Sequence, residues 1–379
     1  KIFDNISNVF KNENYETLLE NELTTSQNEQ SENDEVSTPY KLSKIILNHI
    51  DDNYFLTYPR ILDYCCGKGS IIYQTFIHYY KILIKKIKNP FVCCKLIIET
   101  CLYIGDLNNI NVFITLTLIY NQAYKFCGKK YLYNFNWYCG DAFNLNLPEQ
   151  WNIDFVNGVF VNPPFHDESG QGSTQHKLWI DFTKKTFADW LDEDGLLYQI
   201  SPESFSSPSN KILDIMKDKN VKHIHFNQKD YFPSVATSIA WYLIENKPNE
   251  KKTIINDNYE IDLSTLVYIP QKPCKESISI HEKVMLKNND KIDMKYDYVT
   301  CHNNILLKST RSNTHSSISK EKTNTHIYPV FHTNKQTWYS EIKQDFLDKK
   351  KVLFTRSGYT KFIYDDGKYG VTDLGYYIL

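Results

Sequence analysis

Arginine is almost absent from this chain: three of its 379 residues (Arg60, Arg311 and Arg356) against forty lysines. The balance of 43 Lys+Arg and 45 Asp+Glu leaves a net charge of −2. A uniformly basic coat for nonspecific nucleic-acid binding is therefore excluded, while a local basic cleft is not. No Cys-x-x-Cys pair occurs among the nine cysteines, which instead include two adjacent doublets, Cys65-Cys66 and Cys93-Cys94. That odd count without metal-ligand spacing argues against both a disulfide framework and a zinc site and favours reduced thiols in a cytoplasmic compartment. Long apolar runs are missing too. The longest, residues 110–120, falls well short of the ~20 residues of a membrane helix, and no signal-peptide pattern opens the chain. No internal repeat is visible. The sequence does have a high aromatic content, 15% with 28 Tyr, and its 41% hydrophobic and 23% charged residues are those of a globular protein.

Residues 1–35 form a polar extension, with a linker-like stretch at 24–35. Ser37-Thr38-Pro39 then stands before apolar positions 42, 45, 46, 49 and 50, a helix start followed by helical spacing. From residue 60 onward strand and helix patterns alternate. Strands are expected at 60–64, 101–105, 136–139, 155–161, 196–200, 223–226 and 238–244, and helices at 70–88, 178–191 and 211–217. Regular alternation with short crossovers predicts an α/β fold, a parallel sheet covered by helices on both faces. Ligands of such sheets bind outside the carboxyl ends of the strands. The rhythm stops after Pro248, so a domain boundary is placed near 250–265. The domains are then 36–250 and 265–379, and the apolar close at 376–379 allows the second to be incomplete.

Each unusual motif falls at a strand end. Asp63-Tyr64-Cys65-Cys66-Gly67-Lys68-Gly69 joins the first strand to a helix, and its glycines let backbone approach a ligand. It lacks the third glycine of a dinucleotide fingerprint and the Gly-Lys-Ser/Thr of a P-loop; the alternative is a plain tight turn. Asp106 ends the second strand, where a carboxylate accepts both hydroxyls of a ribose or caps the next helix. Asp141 ends the third, with an adenine amino group or a helix cap as its two readings. After the fourth strand comes Asn162-Pro163-Pro164-Phe165. With Pro near ~5% of residues, such a tetrapeptide arises by chance in well under ~1% of chains this long. Its chemistry suits an amino group conjugated to a ring, whose lone pair is delocalised and a poor nucleophile. The Asn162 side-chain carbonyl and the Pro163 main-chain carbonyl can accept the two N–H protons, returning electron density to nitrogen for attack on an electrophilic methyl. The double proline holds those carbonyls rigid, and Phe165 offers a face for base stacking.

In this order the motifs resemble those of the S-adenosylmethionine-dependent N6-adenine DNA methyltransferases, in the group whose cofactor motifs precede the catalytic one and whose target-recognition domain is C-terminal. The resemblance covers about residues 36–245. Leu62 to Gly69 is similar to the cofactor loop Asp-Pro-Ala-Cys-Gly-Ser-Gly, with Tyr64 and Lys68 departing from it. The resemblance implies a Rossmann-like methyltransferase sheet plus a smaller mixed target-recognition domain. It implies S-adenosylmethionine as cofactor, held by Thr38, Pro39, Asp63, Cys65, Gly67, Gly69, Asp106, Leu107, Asp141, Ala142 and Asn162. Asn162, Pro163, Pro164 and Phe165 would be catalytic. Asp230-Tyr231-Phe232-Pro233 resembles the motif whose aromatic, here Phe232, sandwiches a flipped adenine against Phe165. The implied partners are double-stranded DNA and a cognate restriction endonuclease, with no membrane and no metal.

Flipping is needed because the adenine amino group is paired inside a duplex. No cysteine lies in a Pro-Cys motif, which argues against the covalent C5-cytosine route. Arg311 and Arg356, each beside hydroxyl residues, are the expected base-reading arginines, with an ordinary surface salt bridge as the alternative. Strands at 352–354 and 362–364 and a hairpin turn at Asp366-Gly367 complete the second domain. The segment from His166 reads as a loop that closes over substrate, with His166 solvated rather than catalytic. His223 and His225 read as sheet packing rather than metal ligands. The same Asn-Pro-Pro-aromatic chemistry acting on RNA or on a protein glutamine amide is the alternative within enzymes. An inactive DNA-binding specificity protein is the alternative outside them.

Overall fold

The computed structural model describes residues 37–165, 177–233, 235, 237–284, 318–355, 362–372 and 374–379. The chain divides into two compact units, residues 1–281 and 282–379.

The first unit is built on one nine-stranded sheet. Its strands are β1 (Ile61–Asp63), β2 (Leu102–Asp106), β3 (Asn136–Cys139), β4 (Val156–Val161), β5 (Leu191–Pro202), β6 (Lys219–His225), β7 (Ile239–Pro248), β8 (Thr253–Ile255) and β9 (Tyr259–Ile261). They lie in the order β3-β2-β1-β4-β5-β7-β6-β8-β9. Flanking helices include α1 (Tyr40–Leu47), α2 (Asp52–Leu56), α3 (Ser70–Ile87), α4 (Pro90–Leu96), α5 (Asn109–Cys127), α6 (Leu147–Trp151), α7 (Leu178–Lys185) and α8 (Lys211–Asp218). The expected Rossmann-like α/β sheet flanked by helices is present. Every residue of β1 and β2 is buried, as strands covered on both faces must be, and this is why they read as unbroken apolar runs. Glycine and asparagine mark the helix ends. Gly69, at φ +87°, precedes α3; a Cβ there would lie 2.8 Å from Thr115 Oγ1. The Asn108 side chain caps α5 through Ile110 N, and Gly128 at φ +72° ends it.

Two departures from the sequence reading have local causes. The sheet is mixed, because β7 runs antiparallel between β5 and β6. Between β6 and β7 the described helical structure is one short 3-10 turn, Gln228–Tyr231, and a parallel return needs a longer crossover. The second concerns the domain limit near 250–265: β8 pairs in parallel with β6 and antiparallel with β9, so this hairpin extends the first unit's sheet.

The second unit holds a four-stranded sheet of β10 (Ile318–Ser319), β11 (Tyr328–Thr333), β12 (Gln336–Ser340) and β15 (Gly370–Val371), ordered β10-β12-β11-β15. A three-stranded sheet orders β14 (Ile363–Asp365), β13 (Lys351–Thr355) and β16 (Gly375–Ile378). Phe331, Phe346, Leu353, Val371 and Tyr377 form its core. The expected strands at 352–354 and 362–364 pair as β13 and β14. The Asp366-Gly367 turn is not a hairpin, since it joins β14 to β15, which belong to different sheets.

Candidate active site

Strands β3, β2, β1 and β4 are adjacent and parallel, so the four motifs that follow them emerge side by side along one edge. The order reverses between β1 and β4, which makes this the switch-point crevice where α/β sheets bind ligands.

The loop after β1 is fastened to the end of β2. Asp106, only 8% exposed, accepts from Gly67 N (2.8 Å) through one oxygen and from Asn108 N (2.8 Å) and Asn111 Nδ2 (3.2 Å) through the other. Cys66 N donates to the Gly105 carbonyl at 2.9 Å. Gly67, at φ +49°, makes the turn these bonds need. The helix-cap alternative for Asp106 falls to Asn108. Asp63 is buried and accepts from Cys65 N at 3.3 Å. Burial raises the Asp63 carboxyl well above the ordinary value, with the Asp106 charge adding to it, and burial raises Asp106 as well. The Cys65 thiol is raised by burial and then by the charges of Asp106, Asp63 and Asp141. All three strand-end acids thus act on one loop.

Asp141 is exposed and caps the turn Ala142–Asn144 through Phe143 N at 2.9 Å, so its cap reading is realised; a carboxylate keeps further lone pairs for a ligand. Ala142 is buried, whereas Leu107 is 75% exposed just past Asp106. Phe143, which sequence reasoning did not single out, stacks on Phe182 of α7 at 4.1 Å, and Phe182 stacks on Tyr64 at 5.1 Å. The departure at Tyr64 thereby gains a packing role, linking the glycine loop to the end of β3. No local sequence pattern signals this stack.

Thr38 draws the upstream segment onto the Asn162-Pro163-Pro164-Phe165 tetrapeptide. It is buried, its carbonyl accepts from Ser70 Oγ in the first turn of α3, and its Oγ1 accepts from Asn162 Nδ2 at 3.1 Å. Pro39 stands at the N-cap of α1 in extended conformation. Donation to Thr38 fixes the Asn162 amide so that its oxygen is the acceptor end. Phe165 and Phe232 are both covered, 5% and 2% exposed. A further residue, Glu203, positions the Phe232 segment: its buried Oε1 accepts from Asn227 N at 2.6 Å, where the chain turns at φ +62° after β6. Arg311, Arg356 and His166 lie outside the described residues.

Among the described residues no helix is long and apolar enough to cross a membrane. No family model matches the chain, and no curated protein matches it. Solved structures do share its fold. The Type IIL restriction-modification enzyme MmeI in complex with DNA matches with a TM-score of 0.57 at 9% identity, over 96% of this chain and 65% of that one. A nuclease-deletion mutant of the Type ISP restriction-modification enzyme LlaGI, with a DNA substrate mimic, matches with a TM-score of 0.55 at 11% identity, over 90% and 41%. The DrdV–DNA complex gives 0.51 at 12% identity, over 96% and 51%. The chain thus spans between 41% and 65% of the length of these three structures. What it shares with them is the fold.

Proposed function

We propose that this chain is an S-adenosylmethionine-dependent DNA methyltransferase that modifies N6 of a flipped-out adenine, with the second unit as its target-recognition region. The observation that carries the reading is the hydrogen bond between Thr38 and Asn162. It sets the segment expected to hold the cofactor's methionine part directly against the expected catalytic amide. The acidic strand ends suit the cofactor chemically. Burial makes ionised Asp63 and Asp106 costly, so they favour a ligand that brings hydroxyl donors and positive charge, and S-adenosylmethionine has a ribose diol and a sulfonium. Thr38, Pro39, Asp63, Cys65, Gly67, Gly69, Asp106, Leu107, Asp141, Ala142 and Asn162 would hold it. When bound, it supplies the electrophilic methyl.

The chain's own part is orientation. The Asn162 and Pro163 carbonyls accept the two N6 protons, which restores nucleophilic density to nitrogen, and the double proline keeps both carbonyls in place. No residue need form a covalent bond to the base. Phe165 and Phe232 would stack on the extruded adenine; both are covered here, so base entry requires their cover to move. Base reading is assigned to Arg311 and Arg356, and three DNA-bound proteins with this fold support DNA as the substrate. A cognate endonuclease would act on the same sites. Transfer of labelled methyl to duplex DNA tests the proposal. Wild-type protein labels DNA, and Asn162→Ala loses at least ~100-fold in rate, the scale of a preorganised polar contact, with cofactor affinity weakened but not abolished because the other cradle residues remain. Equal labelling by both proteins would refute it.

A further inference from the structure

Three imidazoles and a carboxylate converge at the carboxyl end of β6, apart from the residues assigned to the cradle. His223 and His225 belong to β6, His49 follows α1, and Asp257 lies in the turn between β8 and β9. Each offers one ligand atom, and the four atoms lie within 4.8 Å of one another. Asp257 Oδ1 is 3.1 Å from His49 Nε2 and 3.1 Å from His225 Nε2. The rings are held in place: His225 lies flat against Trp241 at 4.0 Å, and the His49 ring centre is 5.0 Å from those of both His223 and His225.

Proton accounting calls for a cation here. His49 Nδ1 is 3.0 Å from the Ile45 carbonyl, which can only accept, so Nδ1 carries the hydrogen. In the neutral ring Nε2 is then a bare lone pair, and it faces a carboxylate oxygen, a second acceptor. That contact is unfavourable unless a proton or a metal ion lies between the two atoms. His223 adds a buried Nδ1 with no hydrogen-bond partner. Burial lowers His223 to about 4 and lowers His225 too.

We propose that His49, His223, His225 and Asp257 form a binding site for a divalent first-row transition metal, foremost zinc. Four protein ligands of nitrogen and oxygen make a closed, structural type of site. The His49–Ile45 bond is the outer hydrogen bond that orients a metal-bound imidazole. With zinc bonds of about 2.0–2.1 Å, tetrahedral ligand atoms sit about 3.3 Å apart, close to the two contacts at Asp257. The metal ties the segment after α1, whose start carries Thr38, to the end of β6, whose continuation carries Phe232. It thereby braces two parts of the candidate active site from the side.

The test is metal binding by the full chain, read by elemental analysis after dialysis against Zn2+ and by Co2+ absorption. Wild type is expected to hold one equivalent of zinc, to show Co2+ ligand-field bands without thiolate charge transfer, and to gain melting temperature with Zn2+. Asp257→Asn and His49→Gln should each weaken binding at least tenfold and abolish that gain. Asp257, at φ +57°, sits in a conformation that Asn adopts readily, so this variant keeps the turn, and circular dichroism checks the fold. Three results would overturn the proposal: no stoichiometric metal in wild type, thiolate-type Co2+ spectra that persist in both variants, or unchanged affinity in the folded Asp257→Asn protein.

Discussion

Asp63 and Asp106 are two carboxylates of the candidate site whose environment opposes ionisation, and their effect on stability has a definite sign. Each has a folded pKa raised above the ordinary 3.8, so the native state holds protons that the unfolded state has released. Their favourable contribution is complete below the unfolded value and is lost as pH rises through the folded one. Asp63→Asn should therefore melt at nearly the wild-type temperature near pH 4 and above it at pH 7, by the equivalent of roughly 0.5–2 kcal/mol, while losing cofactor affinity. Calorimetric melts from pH 4 to 8 check this, and a variant less stable at pH 7 would contradict the assigned burial effect. Thr38 gives a second test at this scale. Thr38→Val keeps the shape but removes the acceptor for Asn162 Nδ2, and should slow methyl transfer about tenfold, the worth of one hydrogen bond. Thr38→Ser should restore most of the rate, measured as single-turnover kcat on a fixed DNA.

At the scale of elements, legibility followed turn chemistry. Strand β3 was readable to the residue although none of its residues is buried, and α3 to within one, because Gly-Asp and Gly-Lys-Gly punctuate their ends. Strand β7 was readable as a strand but not in direction, since direction depends on the crossover rather than on the strand. The Asp366-Gly367 turn carries a true hairpin signal, and Gly367 does take φ +94°; which sheet its flanking strands join is decided by distant pairing. Phe143 and Glu203 were missed because a stack and a turn clamp leave no local pattern. Of the His49, His223, His225 and Asp257 cluster, the sequence showed only His223 and His225, which read as sheet packing because His49 and Asp257 come from two other parts of the chain.

The second unit holds another such long-range pair. Lys351 Nζ meets Asp365 Oδ2 at 2.7 Å with both side chains buried. Two backbone carbonyls take the remaining Lys351 donors, and two backbone N–H groups donate to Asp365. Breaking it by Asp365→Asn should cost about 3–5 kcal/mol, and Lys351→Met with Asp365→Leu should recover most of that. Urea unfolding of the three proteins decides the matter; a loss in the double variant as large as that in Asp365→Asn would show that the pair is not acting as a unit.

For the whole molecule, the division of labour proposed between the two units has a direct signature in DNA binding. A weakly acidic protein with local basic contacts should bind duplex DNA with a modest salt slope. Loss of a base-reading arginine, Arg311→Ala or Arg356→Ala, should cost about 1–3 kcal/mol on the cognate sequence and little on random DNA. Competition binding at two salt concentrations separates this from a phosphate contact, which would weaken both equally. The central claim rests on the chemistry at Asn162, and nucleoside analysis after methyl transfer tests it most directly. Duplex DNA incubated with the protein and labelled S-adenosylmethionine, then digested to nucleosides, should carry its label in N6-methyladenine, with none above background from Asn162→Ala. Label confined to another nucleoside, to RNA or to protein would contradict the account.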